Sequence, residues 1–250
     1  MIRKIRSYYL HGKRFFNDPF YFSAAMLDKK ETEKVVLRSE VINVLLESLN
    51  RECTYLEIGV RNPSDNYDKI ISADKYSVDP GIEFKKNPVD FKFASDVFFE
   101  KLRKGEVLNT NIKFDVIFID GLHLANQVNR DIENALEFIK EDGFIVLHDC
   151  NPPTEWHARE EHNYRLTPAG SNWNGTTWKA FYHWRKNKSL FSCCVDTDWG
   201  VGIISKTKRI GKHAEDSNTF FDFKVLEQNR KESLNLISMD HLISILTVST

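Results

Sequence analysis

Asp120, His123, His148 and Asp149 follow two short apolar runs, residues 116–119 and 144–147. Carboxylates and imidazoles on neighbouring turns can take up a proton, hold a divalent cation, or do both. Histidine suits the first role because its ordinary pKa of about 6.5 leaves it largely neutral near pH 7. For that chemistry both turns must open on one crevice. Between the runs, Val128, Ile132, Ala135, Leu136 and Ile139 recur on one helical face. The stretch reads strand, helix, strand, and runs apolar on both faces suit parallel strands joined by a right-handed crossover. Both polar clusters then leave the carboxyl edge of one sheet, where open α/β sheets bind ligands. The competing reading makes them loop residues that cap the next helix.

The elements that must position these residues can be taken in order. The N-terminal stretch MIRKIRSYYLHGKRFF mixes cations with aromatics. It reads either as an amphipathic surface segment or, the favoured choice, as one whose Tyr8, Tyr9, Phe15 and Phe16 cover the core or a partner subunit. Residues 39–49 predict a buried helix with Ser39 as N-cap. Residues 54–60 predict the first strand, ending in Glu57, Gly59 and a turn-prone RNPSDN segment, with a helix from about Ser64 to Ser72. Residues 76–78 predict a second strand closed by Asp79. An acid there, about 20 residues beyond a glycine turn, can hold ribose hydroxyls, or else form a plain Asp-Pro-Gly turn.

Residues 91–94 predict a third strand, with Ser95 capping a helix through Val97, Phe98 and Leu102. The long loop at 151–175 is rich in Trp, His, Pro and Asn and reads as a lid or binding loop, in which His157 and His162 are candidates to meet a phosphate-bearing ligand. A helix near residues 178–186 follows, then a hairpin of 190–195 and 201–204 around DTDWG. The tail, 220–246, is helical by pattern. The expected division is a helical extension (1–38), an α/β domain that carries the sheet (39–206) and a second helical extension (207–250).

Composition narrows the classes. The net charge is -1, with 35 Lys and Arg dispersed among 36 Asp and Glu, which argues against a nucleic-acid binder acting by charge neutralisation. No run approaches the roughly 18 apolar residues of a membrane span. Four cysteines without metal-ligand spacing fit a reducing cytoplasm.

Taken together, YLEIGV, SVDPG, ASDVFF, FDVIFIDGLH, GFIVLHDCNPP, WNGTTWKAF and DTDWGVGII resemble class I S-adenosylmethionine-dependent methyltransferases. Within them, the succession is most similar to the bacterial macrocin-type O-methyltransferases linked to surface-polysaccharide and capsule pathways. The resemblance implies an α/β, Rossmann-like, mostly parallel sheet of seven strands with a reversed last strand. It implies that Glu57, Gly59, Val60, Asn62, Asp79, Ser95, Asp96 and Asp120 lie along the cofactor, with Glu57 and Gly59 beneath its methionine part. Asp79 would take the ribose, and Ser95 and Asp96 would lie by adenine. His123, His148 and Asp149 are the implied catalytic residues. Asp120 and Asp149 would hold a divalent metal, Mg or Mn, if one is used, although His148 replaces a carboxylate usual in related enzymes. Arg61, Asn62 and Pro63 also replace the second glycine that the wider family favours. The implied partner is a small polar acceptor, sugar-derived or phosphate-bearing, with a homodimer left open. The rival readings are a metal-dependent oxygenase or hydrolase on the same sheet, and a cofactor-binding scaffold that has lost catalysis.

Overall fold

The computed structural model describes residues 1–83, 86 and 88–248. Its centre is a seven-stranded sheet in the order β2-β1-β3-β4-β6-β5-β7. The strands are β1 (Thr54–Ile58), β2 (Asp74–Val78), β3 (Phe114–Ile119), β4 (Ile139–Leu147), β5 (Phe191–Val195), β6 (Val201–Ser205) and β7 (Leu236–Ile237). β6 is antiparallel to both neighbours and the other pairs are parallel. The expected fold class is therefore the observed one: Rossmann-like, mostly parallel, with a reversed strand.

β3 is buried at every position, as a parallel strand covered on both faces must be. One apolar layer packs α4 (Ser95–Lys104), α5 (Ala125–Phe138) and α6 (Thr177–Arg185) through Phe98, Phe99, Leu102, Ile132 and Phe181. On the other face, α3 (Arg38–Ser48) and α9 (Met239–Val248) meet the sheet through Val41, Ile42, Leu45 and Leu242. Burial of a Leu, Ile or Phe side chain stabilises by about 1.5–3 kcal/mol, so these two layers fix where the strand ends lie. α7 (Phe223–Gln228) and α8 (Arg230–Leu234) complete the tail.

Several expected elements are built differently. Residues 64–72 form two short 3₁₀ turns, Pro63–Asp65 and Tyr67–Lys69, rather than one helix. Asn66 between them donates to Glu57 Oε2 at 2.8 Å, and this tertiary bond breaks the helical path. Residues 91–94 contribute only an isolated bridge from Phe91 to Val78. There the Asp90 carboxylate, instead of a carbonyl, accepts the Ser77 N–H at 2.8 Å and its hydroxyl at 2.7 Å. Ala94, not Ser95, is the N-cap of α4. Leu37, not Ser39, caps α3, its N–H donating to the Glu40 carboxylate at 2.8 Å. Ile139, expected on α5, is the first residue of β4. The tail is helical apart from β7, which adds a parallel edge to β5.

α1 (Ile2–Phe16) buries none of its residues, so Tyr8, Tyr9, Phe15 and Phe16 do not cover the core. Phe15 and Phe16 pack on each other, centroids 5.7 Å apart, and on Tyr21 in the first turn of α2 (Pro19–Thr32), with ring centroids 4.7 and 5.1 Å away. α2 reaches the carboxyl edge of the sheet: Glu31 accepts the Trp199 N–H at 2.8 Å, and Asp28 accepts from Asn172 at 2.7 Å. The expected boundary at 38/39 falls within the first turn of α3, where the Arg38 side chain enters the same edge.

Candidate active site

The carboxyl ends of β3 and β4 carry Asp120 and His148, and sheet hydrogen bonding continues past both: Asp120 N–H donates to Ile58 O at 2.8 Å and His148 N–H to Ile119 O at 3.2 Å. The two tips thus stay side by side. His148 Nδ1 lies 3.1 Å from Asp120 Oδ1 and 3.4 Å from Asp149 Oδ2. His123, on the turn after β3, bridges the same carboxylates, with Nε2 3.2 Å from Asp120 Oδ1 and Nδ1 2.9 Å from Asp149 Oδ2. Asp149 reaches this position at φ 61°, a left-handed backbone that costs most residues about a kcal/mol or more and that Asp tolerates better.

The cluster also contains Arg38, Asp198 and Asn174, which the sequence reading did not single out. Arg38 Nε is 3.6 Å from Asp120 Oδ2, and its Nη1 is 3.1 Å from Asp198 Oδ2. Asp198 Oδ1 lies 3.3 Å from His148 Nε2. Asn174 Nδ2 donates to Asp149 Oδ1 at 2.7 Å, and the Trp173 ring stacks on His123 with centroids 5.3 Å apart. One signal pointed to Asp198: β5 runs parallel to β4, so the DTDWG turn that follows it must open on the same edge. Nothing in local spacing marks Arg38.

Asp120, Asp149 and Asp198 therefore face Arg38, His123 and His148 in a nearly dry site. Burial alone would lower the His123 pKa, but Asp149 and then Asp120 outweigh it and raise it to about 10. His148 is likewise pushed well above its ordinary value, against burial, by Asp120 and Asp149. Burial would raise Asp120 and Asp149, yet His148 holds Asp120 well below the usual range, and His148 with His123 lowers Asp149. His123 is thus charged at pH 7, not neutral as its ordinary pKa would have it, and His148 is shifted in the same direction. A folded-state pKa raised from about 6.5 gives stability that is complete below pH 6.5 and is lost as pH rises through about 10. The melting temperature should fall more steeply between pH 7 and pH 10 in the wild type than in His123→Gln, and parallel curves would contradict this.

The cofactor-side residues divide into groups. Gly59, at φ 90°, lies against the Asp120–Gly121 backbone, where any Cβ would overlap the Asp120 carbonyl oxygen. Glu57 is buried beneath this turn, accepting from Tyr55 at 2.6 Å and Asn66 at 2.8 Å. Burial raises its pKa to about 7 despite those two bonds. Val60 is buried, and Asn62 is half-buried, donating to Asp65 at 3.3 Å. A cavity of about 420 Å³ lies beside them, lined by Asn62, Pro63, Tyr67, Asp68, Lys86 and Pro88. Asp79 closes β2 and accepts the Gly81 N–H at 2.6 Å. Ser95 and Asp96 turn toward α5 instead: Ser95 donates to Asp131 at 2.6 Å, and Asp96 pairs with Arg130 at 3.1 Å.

Among the described residues, two buried acceptors, Asn66 Oδ1 and Asn174 Oδ1, have no hydrogen-bond partner, which fits a ligand bearing polar donors along this edge. Asp120, His123 and Asp149 offer two carboxylate oxygens and one imidazole nitrogen, all within 4.8 Å of one another. That set fits a divalent cation, and the nitrogen favours Mn²⁺ or another transition metal over Mg²⁺. His123 must lose its proton to join such a set. His157 is fully buried, between Thr154 and Asp28 at 2.9 Å each, and so pins the long loop to α2 instead of meeting an acceptor.

Residues 62–150 match a family model for a methyltransferase domain. The chain has a Rossmann-like fold, a mostly parallel sheet with one reversed strand. Solved structures similar to it include the O-methyltransferase from Bacillus cereus in complex with SAH, with 15% identity, a TM-score of 0.40, and coverage of 75% of this chain and 90% of that one. Another is the O-methyltransferase TomG from Streptomyces achromogenes, with SAM, at 12% identity and a TM-score of 0.40, covering 76% of this chain and 91% of that one. A third is the MycE methyltransferase of the mycinamycin pathway, in complex with Mg, SAH and mycinamycin VI, at 12% identity and a TM-score of 0.42, covering 79% of this chain and 57% of that one. No curated protein is matched by sequence. In this fold the Asp120 cluster stands at the carboxyl edge, next to the turn at Gly59.

Proposed function

We propose that the chain is an S-adenosylmethionine-dependent O-methyltransferase acting on a small polar hydroxyl compound, sugar-derived or phosphate-bearing, of surface-polysaccharide assembly. The observation that carries the reading is the convergence of Asp120, His123, His148 and Asp149 beside the Gly59 turn. When bound, S-adenosylmethionine supplies the methyl group from its sulfonium and leaves as S-adenosylhomocysteine. Asp79 would hold the ribose hydroxyls, while Glu57, Gly59, Val60 and Asn62 would shape the space beneath the methionine part. Ser95 and Asp96, already bonded to α5, would frame the adenine end through their backbone.

The acceptor hydroxyl must give up its proton as its oxygen takes the methyl group. His148 or His123 takes that proton only after losing its own, so Asp120, Asp149 and Asp198 set the pH at which the site becomes competent. A divalent cation on Asp120 and Asp149, with His123 as third donor, would displace that proton and acidify the acceptor hydroxyl.

The test is methyl transfer from radiolabelled S-adenosylmethionine to a panel of sugars, sugar phosphates and catechols, with Mn²⁺, with Mg²⁺ and with chelator. A turned-over hydroxyl acceptor, with a rate that rises with pH above 7 in chelator and at lower pH with Mn²⁺, is the expected result. Transfer to nitrogen or sulfur acceptors alone would refute the O-methyl assignment. A rate blind to both metal and chelator would remove the cation.

A further inference from the structure

α1 stands apart from the body of the protein. Ile2, Ile5, Tyr9 and Phe16 are 82%, 60%, 66% and 61% exposed. At about 100° per residue they fall within an arc of about 60°. Arg6 and Lys13 border that arc on one side; Tyr8, Phe15 and then Lys4 border it on the other. Arg3 and Arg14 lie on the opposite face, and no acidic residue occurs before Asp18. Leu10 alone among the large apolar side chains falls among the cations, and an isolated water-soluble helix has no physical reason to gather most of its apolar side chains into one stripe while every charge it carries is positive.

We propose that α1 docks in the plane of an anionic lipid surface. The stripe would enter the acyl boundary with the Tyr9 hydroxyl reaching back toward the headgroups, Arg6, Lys13 and Lys4 would extend to headgroup phosphates, and Tyr8 would sit at headgroup level. Charge complementarity selects this occupant. A second α1 brings the same cations and no acid, so an α1–α1 pair gains no interhelical ion pair and gathers like charges. Among the described residues no helix is long and apolar enough to cross a membrane, so the contact is peripheral. The binding is independent of the reaction proposed above.

The experiment is co-sedimentation of the full chain with vesicles of phosphatidylcholine and phosphatidylglycerol, against vesicles of phosphatidylcholine alone. Binding is expected only to the anionic vesicles, and it should weaken with added salt. Arg6→Glu/Lys13→Glu and Ile5→Asp/Tyr9→Asp should each lower partitioning by about tenfold or more. None of these side chains is buried, so both variants should keep the wild-type melting temperature, which separates lost docking from lost folding. Absence of binding to anionic vesicles, equal binding to neutral ones, or unchanged binding by the folded variants would overturn the proposal. So would a dimer in sedimentation equilibrium that needs Ile5 and Tyr9 while vesicles bind nothing.

Discussion

Asp120→Asn should lower methyl transfer by about 10²- to 10⁴-fold while leaving a folded protein. Asp120 is the shared anion of the site: Oδ1 serves His123 at 3.2 Å and His148 at 3.1 Å, and Oδ2 faces Arg38 at 3.6 Å. Asparagine fills the same space but removes that charge, and its amide N–H₂ would face either an imidazole N–H or the Arg38 guanidinium. His123 then loses one of its two carboxylates and His148 one of its three, with the orientation that carboxylate gives each. The pKa of His123 should fall from about 10 toward the ordinary histidine range. Initial rates on the acceptor found in the panel, with a histidine proton titration by NMR, measure both effects. A rate close to the wild-type value would remove Asp120 from the chemistry. An unmoved His123 titration would remove it from the electrostatics.

Gly59→Ala should destabilise the protein by about 2–5 kcal/mol, from a left-handed backbone plus overpacking, and abolish cofactor binding. At roughly 2–4 °C per kcal/mol for a chain of this size, the melting temperature should drop by about 5–20 °C. The reason is local: at φ 90° the missing Cβ leaves room for the Asp120 carbonyl and the Gly121 Cα. Both neighbours are backbone, held by the Asp120 N–H bond to Ile58 O at 2.8 Å, so they cannot swing aside as a flexible side chain would. Gly121 shows the contrast. A Cβ there would meet only Ile58 Cγ2 at 3.8 Å and the Gly59 Cα at 3.9 Å, an ordinary contact, so Gly121→Ala should be mild. Thermal melts of the two variants give the comparison, and equal stability of Gly59→Ala and the wild type would refute the close approach.

The central strand–helix–strand unit was legible because its information is local. Apolar runs mark β3 and the end of β4, a helical period marks α5, and polar residues at both strand ends mark the tips. Those features placed Asp120, His123, His148 and Asp149 at one edge before any coordinates. What escaped is set by contacts between distant segments. Arg38 and Asp198 are 160 positions apart and meet because α3 packs beside the β5–β6 turn. The charge state of the histidines escaped too, since an ordinary imidazole pKa applies only to an imidazole in water. Local patterns failed where side chains replaced backbone partners, as Asn66 does in the broken helix and Asp90 at the strand reduced to a bridge. α1 failed differently: amphipathic pattern reports that a face is apolar, and does not report what covers it.

The most direct test of the central claim is calorimetric titration of S-adenosylhomocysteine into the folded wild type and into Asp79→Ala. Saturable binding to the wild type, weakened by about tenfold or more in the variant through loss of a charged hydrogen-bond acceptor, is the predicted result. Absence of binding to the folded wild type, or equal affinity in the two proteins, would contradict it.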